Sequence, residues 1–341
     1  MPNIEVNSRN LSLDLCRAAA IVLVAVQHAW SMLDLDNDSW GLVCYMYRAI
    51  VNCGVPMFVM VSGALLLGNP CGVKQFYIKR LARVVWPFLF WAIPVYIIGV
   101  VTHRYEAIHS WSDAFLYFFP YLLQNEIQDF HWFVHMILVL YALTPLLQRA
   151  LSLSSKRLVE GLLAGWAIIL IMQQAYPAIY ALRYVSALFP YLGVYIAGYY
   201  IKRYMSDSKH VQTIAAIAFV VLYVADVLLK TRYYFVELFT TICLFTLLSK
   251  IPISRPIAVR TGILSLSRYS YTIYLIHIPL ISALYQLLDK LTCGAYTQWA
   301  TPTMAVLPIC VAAIVLAVCY IACLIADKCR YINNNLVGIS K

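Results

Sequence analysis

Apolar residues in this chain gather in long runs separated by short polar stretches. Ten such runs lie near 13–33, 43–67, 84–101, 131–149, 158–176, 184–201, 211–229, 233–249, 265–288 and 303–326. Each is about 20 residues long, enough for a helix rising ~1.5 Å per residue to cross a hydrocarbon core of ~30 Å. The strict alternation of a transmembrane β-barrel is missing from them. The pattern predicts an all-α polytopic membrane protein of about ten transmembrane helices, built as a single domain over 1–341. The longest connection, about 102–130, is amphipathic and rich in aromatic residues (Trp111, Phe115, Tyr117, Phe118, Phe119). That composition suits a segment lying in the interface or re-entering the membrane.

Composition agrees with the pattern. Hydrophobic residues make up 63% of the 341 residues and charged ones 12%, with a mean hydropathy of +0.77. The first run begins near Leu13, lacks a small-residue cleavage site and carries Arg17, so it reads as a retained helix rather than a signal peptide. Membrane lipid is therefore the first partner. The net charge of +10 would suit nucleic acid in a soluble chain. In a membrane protein it is the ordinary excess of basic residues on cytoplasmic loops, and no nucleic-acid partner is expected. The ten cysteines include no CxxC pair. They read as small buried apolar residues, with no metal site implied.

The basic residues also orient the chain. With a cytoplasmic N-terminus, the inward segments hold most of the 25 Lys and Arg residues. Only Arg104, Arg183, Lys230, Arg232 and Lys290 fall outside, and Arg48 lies within the second run. The bias predicts that both termini are cytoplasmic.

The first run contains three residues that lipid disfavours: Asp14, Arg17 and His28. Charges within a span cost a few kcal/mol each and point to function by default. Arg17 and His28 are eleven residues apart, about 20° more than three full helical turns. They share one helix face, roughly 16 Å apart along the axis. Asp14 is one turn before Arg17 and can pair with it. The stripe is ionic at the inner mouth and carries an imidazole deep inside, where it can act as a neutral general base or proton shuttle.

Six segments together resemble the acyltransferase-3 family of integral-membrane acyltransferases. "LDLCRAAAIVLVAVQH" (13–28) resembles its R-x10-H signature. "VPMFVMVSGALL" (55–66) resembles its FFxxSG segment, and "FYIKRLARVVWP" (76–87) its basic RxxR-and-proline segment. "FHWFVHMILVLYALTPLL" (130–147), "FPYLGVYIAGYYI" (189–201) and "LSRYSYTIYLIHIPLI" (266–281) resemble three further family spans. They occur in family order over nearly the whole chain. Ala18 stands where the family has glycine, Met57 replaces the first Phe of FFxxSG, and His135 is an extra histidine. With no further C-terminal domain, the chain is similar to the short bacterial branch that O-acetylates surface polysaccharides.

The resemblance implies acyl transfer from acyl-CoA, most simply acetyl-CoA, with His28 as the base on the acceptor hydroxyl. The basic cluster Lys79, Arg80 and Arg83 reads either as positive-inside anchoring or as a grip on the phosphates of CoA, and the family motif favours Arg80 and Arg83. Ser62 and Gly63 read as a small-residue helix contact or as shapers of the acyl channel. Glu126, Asp129, His131 and Trp132 flank the outer mouth, where they suit acceptor contact, solvation or interfacial anchoring. His277 reads as a structural histidine or a further site residue. Asp226 and Glu237 are expected to pair with Lys230 or Arg232.

The expectation is a multi-pass enzyme of the bacterial inner membrane, with acyl-CoA as donor and a lipid-linked or nascent surface glycan as acceptor. A second copy of the chain is a further candidate partner. A transporter or flippase of acyl groups or glycans is the rival reading, because intramembrane charges also line transport pathways. The lack of detectable inverted repeats argues against it. A non-catalytic assembly subunit is a third reading, and the joint presence of Arg17 and His28 argues against that.

Overall fold

The computed structural model describes residues 10–33, 37–176, 188–230, 234–251, 257–298 and 301–328. Among these residues the chain forms twelve α-helices and no strand. They are α1 Leu11–Ser31, α2 Asn37–Val51, α3 Gly54–Leu66, α4 Val73–Val101, α5 Trp111–Leu123, α6 Trp132–Leu153, α7 Lys156–Ala175, α8 Phe189–Tyr204, α9 Lys209–Leu228, α10 Tyr234–Ser249, α11 Ile257–Thr292 and α12 Thr301–Lys328. This is a polytopic all-α membrane protein. Among the described residues, eight stretches are long and apolar enough to cross a bilayer, with α2 and α3 together making one of them.

All ten expected runs are helical, but two of them yield short helices. The runs at 184–201 and 233–249 appear as α8 and α10, each of 16 residues, about 24 Å long. Residues 184–187 and 233 lie outside the described residues. α8 packs on α3, α7 and α10, and α10 also packs on α1, α2 and α9. Helices surrounded by protein in this way need not match the thickness of the lipid.

Two helices run further than hydropathy indicates. α4 begins at Val73 rather than near 84, and α11 extends from Ile257 to Thr292 rather than 265–288. Both extensions carry charged residues that lower hydropathy, yet long-chain Lys and Arg are good helix formers. The second run behaves in the opposite way, breaking at Asn52 and Cys53. Pro56, in the first turn of α3, has no N–H to offer the Asn52 carbonyl, so one continuous helix is disfavoured there.

The spans alternate in direction. On the side of the α1 N-terminus, Ser12 Oγ donates to the Ile251 carbonyl just after α10. Gln148 near the end of α6 donates to Leu66 at the end of α3. Arg268 in the first half of α11 pairs with Asp327 at the end of α12 at 2.7 Å. On the opposite side, Tyr285 of α11 donates to Ala29 of α1, and the Phe235 N–H of α10 donates to Gln174 at the end of α7. The start of α1 and the end of α12 therefore share a side. Lys74, Arg149, Lys156, Lys202, Lys250 and Lys328 lie at or beside helix ends on that side, with Arg80 and Arg83 in the first half of α4.

Close backbone contact fixes the centre. A Cβ on Gly63 would lie 1.8 Å from the Tyr195 carbonyl oxygen, and one on Gly198 would lie 2.1 Å from that of Met60. These two glycines let α3 and α8 touch main chain to main chain. Tyr195 then reaches α6, its hydroxyl 2.8 Å from Thr144 Oγ1. Glu237, expected to pair with Lys230 or Arg232, instead binds Arg48 of α2 at 3.1 Å. Both side chains point between α2 and α10, and the buried carboxylate takes the cation that the packing brings to it. Arg232 lies outside the described residues.

The connection between α4 and α6 carries α5, capped by Ser110 Oγ on the Asp113 N–H. Ala114 and Leu122 face inward, and Tyr96 donates to the Ala114 carbonyl. Trp111, Phe115, Leu116, Phe119 and Leu123 stay exposed. Such an apolar face suits the membrane boundary.

Candidate active site

Two cavities approach each other from opposite sides of the bundle. The first opens on the side of the α1 N-terminus and encloses about 990 Å³ including its mouth. α1 contributes Arg17, α3 Ser62, α4 Arg80 and Arg83, and α11 Arg268, Tyr271 and Tyr274. A second recess shares Arg17, Ser62, Arg80 and Tyr141 and continues to Asn69 and Cys71.

Among the described residues, four guanidinium groups but no carboxylate line the first cavity. Two of the four are held from behind. Arg17 Nη1 lies 3.2 Å from Asp14 Oδ1 and 3.2 Å from Ser267 Oγ. Ser267 Oγ in turn donates to Asp14, which is buried. Arg268 is held by Asp327. Arg80 and Arg83 make no ion pair with a carboxylate among the described residues. The cavity thus has two fixed cations and two available ones, a strongly anion-attracting arrangement.

The other cavity opens on the opposite side and encloses about 1400 Å³ including its mouth. His28 of α1, Gln128 and Phe130 of the segment before α6, Arg104 after α4, and Ser282 and Gln286 of α11 line it. Amides, hydroxyls and one imidazole dominate its polar surface. That chemistry suits a polyol more than a phosphate.

A thin aromatic partition separates the two. Tyr274 lines the basic cavity, and its hydroxyl donates to the carbonyl of Phe130, which lines the opposite cavity. The Phe130 ring lies 5.9 Å from that of Tyr274 and 6.2 Å from that of His28. One turn beyond Tyr274, His277 stands 5.2 Å from His28. The stripe read from the first run therefore spans the whole arrangement, with Arg17 in one cavity and His28 in the other.

The remaining residues singled out by sequence separate into two sets. Ser62 lines the basic cavity, whereas its neighbour Gly63 turns towards α8. Lys79 is exposed and does not line the cavity. His131 is buried, its ring 4.8 Å from Phe88 and from Phe130. Trp132 is partly exposed, with its ring 5.5 Å from Tyr191. Glu126 is exposed and does not line the His28 cavity. The side chain of Asp129 lies outside the described residues. Sequence reading missed Ser267, Arg268, Tyr271 and Tyr274. Ser267, Ser270, Tyr271, Tyr274 and His277 recur at three- and four-residue steps, so one face of α11 is polar. That periodicity was the available signal.

A family model described as an acyltransferase domain matches residues 10–324. The chain belongs to the acyltransferase-3 family. It is a membrane acyltransferase, and the matched stretch includes both cavities and the partition between them. No curated protein and no solved structure matches the chain.

Proposed function

We propose that this family member moves an acyl group, most simply acetyl, from cytoplasmic acyl-CoA to a hydroxyl of a lipid-linked or nascent surface glycan, across the inner membrane of a bacterium. The observation that carries the reading is the back-to-back pair of cavities, one cationic and one holding His28, separated by Tyr274 and Phe130. Placing the basic cavity in the cytoplasm follows the positive-inside bias. Arg80 and Arg83 bind the CoA phosphates at its mouth, and Arg17, braced by Asp14 and Ser267, holds the donor further in.

The chemistry then needs a base and a route for one proton. The acceptor oxygen attacks the thioester carbonyl while neutral His28 takes the hydroxyl proton. The new C–O bond forms, the C–S bond breaks, and the departing CoA thiolate is protonated from the His28 imidazolium. General-base help of this kind supplies about 10²–10⁴ in rate. For the thioester to meet the hydroxyl, the Tyr274–Phe130 partition has to open, with the pantetheine arm threading through.

The test is transfer of labelled acetyl from acetyl-CoA, measured on purified protein in lipid nanodiscs with a lipid-linked oligosaccharide. Labelled glycan with stoichiometric release of CoA is expected. Tight CoA binding with neither hydrolysis nor transfer would favour the transporter reading.

A further inference from the structure

The group beside the proposed base is a second histidine. His277 of α11 is fully buried, and its ring is tilted 57° to that of His28 at a centroid distance of 5.2 Å. Its Nδ1 faces two backbone carbonyls, Tyr274 at 2.7 Å and Ile273 at 3.1 Å. Carbonyl oxygens only accept, so Nδ1 carries the proton of the neutral ring and Nε2 carries a lone pair. That Nε2 is buried and has no hydrogen-bond partner.

Buried polar atoms are nearly always satisfied, and an orphan calls for an explanation. Packing alone does not supply one, because an apolar side chain of similar size would fill the space without stranding a lone pair. The backbone grip also fixes the tautomer, so the free lone pair is a permanent feature of this site. The nearby ring that has a proton to offer it is His28.

We propose that His277 is a positioning residue for His28. Its Nε2 accepts the N–H of His28 as the reaction proceeds, which fixes the His28 tautomer and turns the opposite nitrogen towards the acceptor hydroxyl. The inference rests on reading His28 as the base. The proton count is unchanged by it. His28 gains the hydroxyl proton on its free nitrogen, shares its other N–H with His277 as an imidazolium, and gives the gained proton to the leaving thiolate. With the ring centroids 5.2 Å apart, the bond forms when the His28 side chain turns its N–H towards His277.

Two substitutions divide the functions of the ring. In His277→Asn the side-chain amide keeps a donor for the two carbonyls and removes the atom at Nε2. In His277→Gln the terminal amide reaches the Nε2 position, where its oxygen can accept. Transfer kinetics and thermal unfolding are measured on both in nanodiscs. His277→Asn is expected to lower kcat about tenfold or more, within the range that general-base help supplies, with an unchanged KM for acetyl-CoA. His277→Gln is expected to recover much of kcat. Equal kcat in the two variants, or a lower kcat in His277→Gln, overturns the proposal. Should His277→Asn fail to fold, His277→Leu, which carries no acceptor, takes its place in the comparison. His28→Ala is assayed alongside. Normal transfer there defeats the base assignment itself, whereas an inactive His28→Ala with wild-type turnover in His277→Asn defeats only the pairing.

Discussion

The basic cavity and the His28 cavity are opposite in chemistry. One presents Arg17, Arg80, Arg83 and Arg268, with no carboxylate among its described lining residues. The other presents His28, Gln128, Ser282 and Gln286, with Arg104 as its one cation among the described lining residues. α1 and α11 serve both, and each changes character along its length. α1 runs from Asp14 and Arg17 to His28, and α11 from Ser267 and Arg268 to His277 and Ser282. Under the proposed function, a polyanionic carrier and an uncharged hydroxyl compound would meet different ends of the same two helices. A cation strong enough to hold phosphates would also compete for the oxygens of a glycan, and keeping the ends apart avoids that conflict.

The largest expected effect concerns which side is which, and it is all or none. Cys71 lies between α3 and α4 on the basic side, and Cys293 follows α11 on the other. Both are exposed free thiols. A membrane-impermeant maleimide added to intact cells should label Cys293 and spare Cys71, with the reverse order after inversion of the vesicles. Labelling of Cys71 from outside would put the arginines on the wrong side for cytoplasmic CoA.

Next in size is His28→Ala. Transfer should fall by about 10²–10⁴ while CoA binding, measured by calorimetry, stays intact. Near-normal turnover in folded protein would leave His28 as a packing residue. A smaller effect belongs to the other cavity. Arg80→Ala and Arg83→Ala should each raise the Kd for acetyl-CoA by roughly the 1.5–3 kcal/mol of a hydrogen bond to a charged group, or about ten- to a hundredfold, and leave kcat at saturation little changed. If either variant instead loses kcat with an unchanged Kd, the division of labour between the cavities is wrong.

The two cavities were not equally legible in the sequence. Arg17 and His28 stand out because lipid penalises them, and the spacing alone places them on one face. The RxxR pair stands out by charge. The partition does not, because Tyr274 within an apolar run and Phe130 at the edge of one look like any core aromatic residues. Their roles depend on the segment before α6 meeting α11, which is a tertiary fact. The pairing of Arg48 with Glu237 is of the same kind, joining residues far apart in the chain. Hydropathy found the helices but not the ends of α4 and α11, since charged residues that favour helix lower the apolar signal. It also could not separate Ser62 from Gly63. Adjacent residues on a helix point about 100° apart, so one faces the cavity and the other faces α8.

The same rotation gives the smallest effect. Lys79 and Arg80 are neighbours in the basic cluster, and composition treats them alike. On α4 they diverge. Arg80 lines both the cavity and the adjoining recess, while Lys79 is exposed and lines neither. A solvent-exposed ammonium acts on a bound phosphate only through screened Coulomb attraction, which fades beyond ~8 Å at physiological salt. Lys79→Ala should therefore shift the Kd for acetyl-CoA less than about threefold, in line with exposed ion pairs worth ~0–1 kcal/mol, and raising the salt should erase the difference. Arg80→Ala should keep most of its penalty at high salt, because its loss removes a directed hydrogen bond as well as a charge. Equal, salt-sensitive penalties for the two would mean that the cluster attracts CoA only as a diffuse field and that the cavity does not grip it.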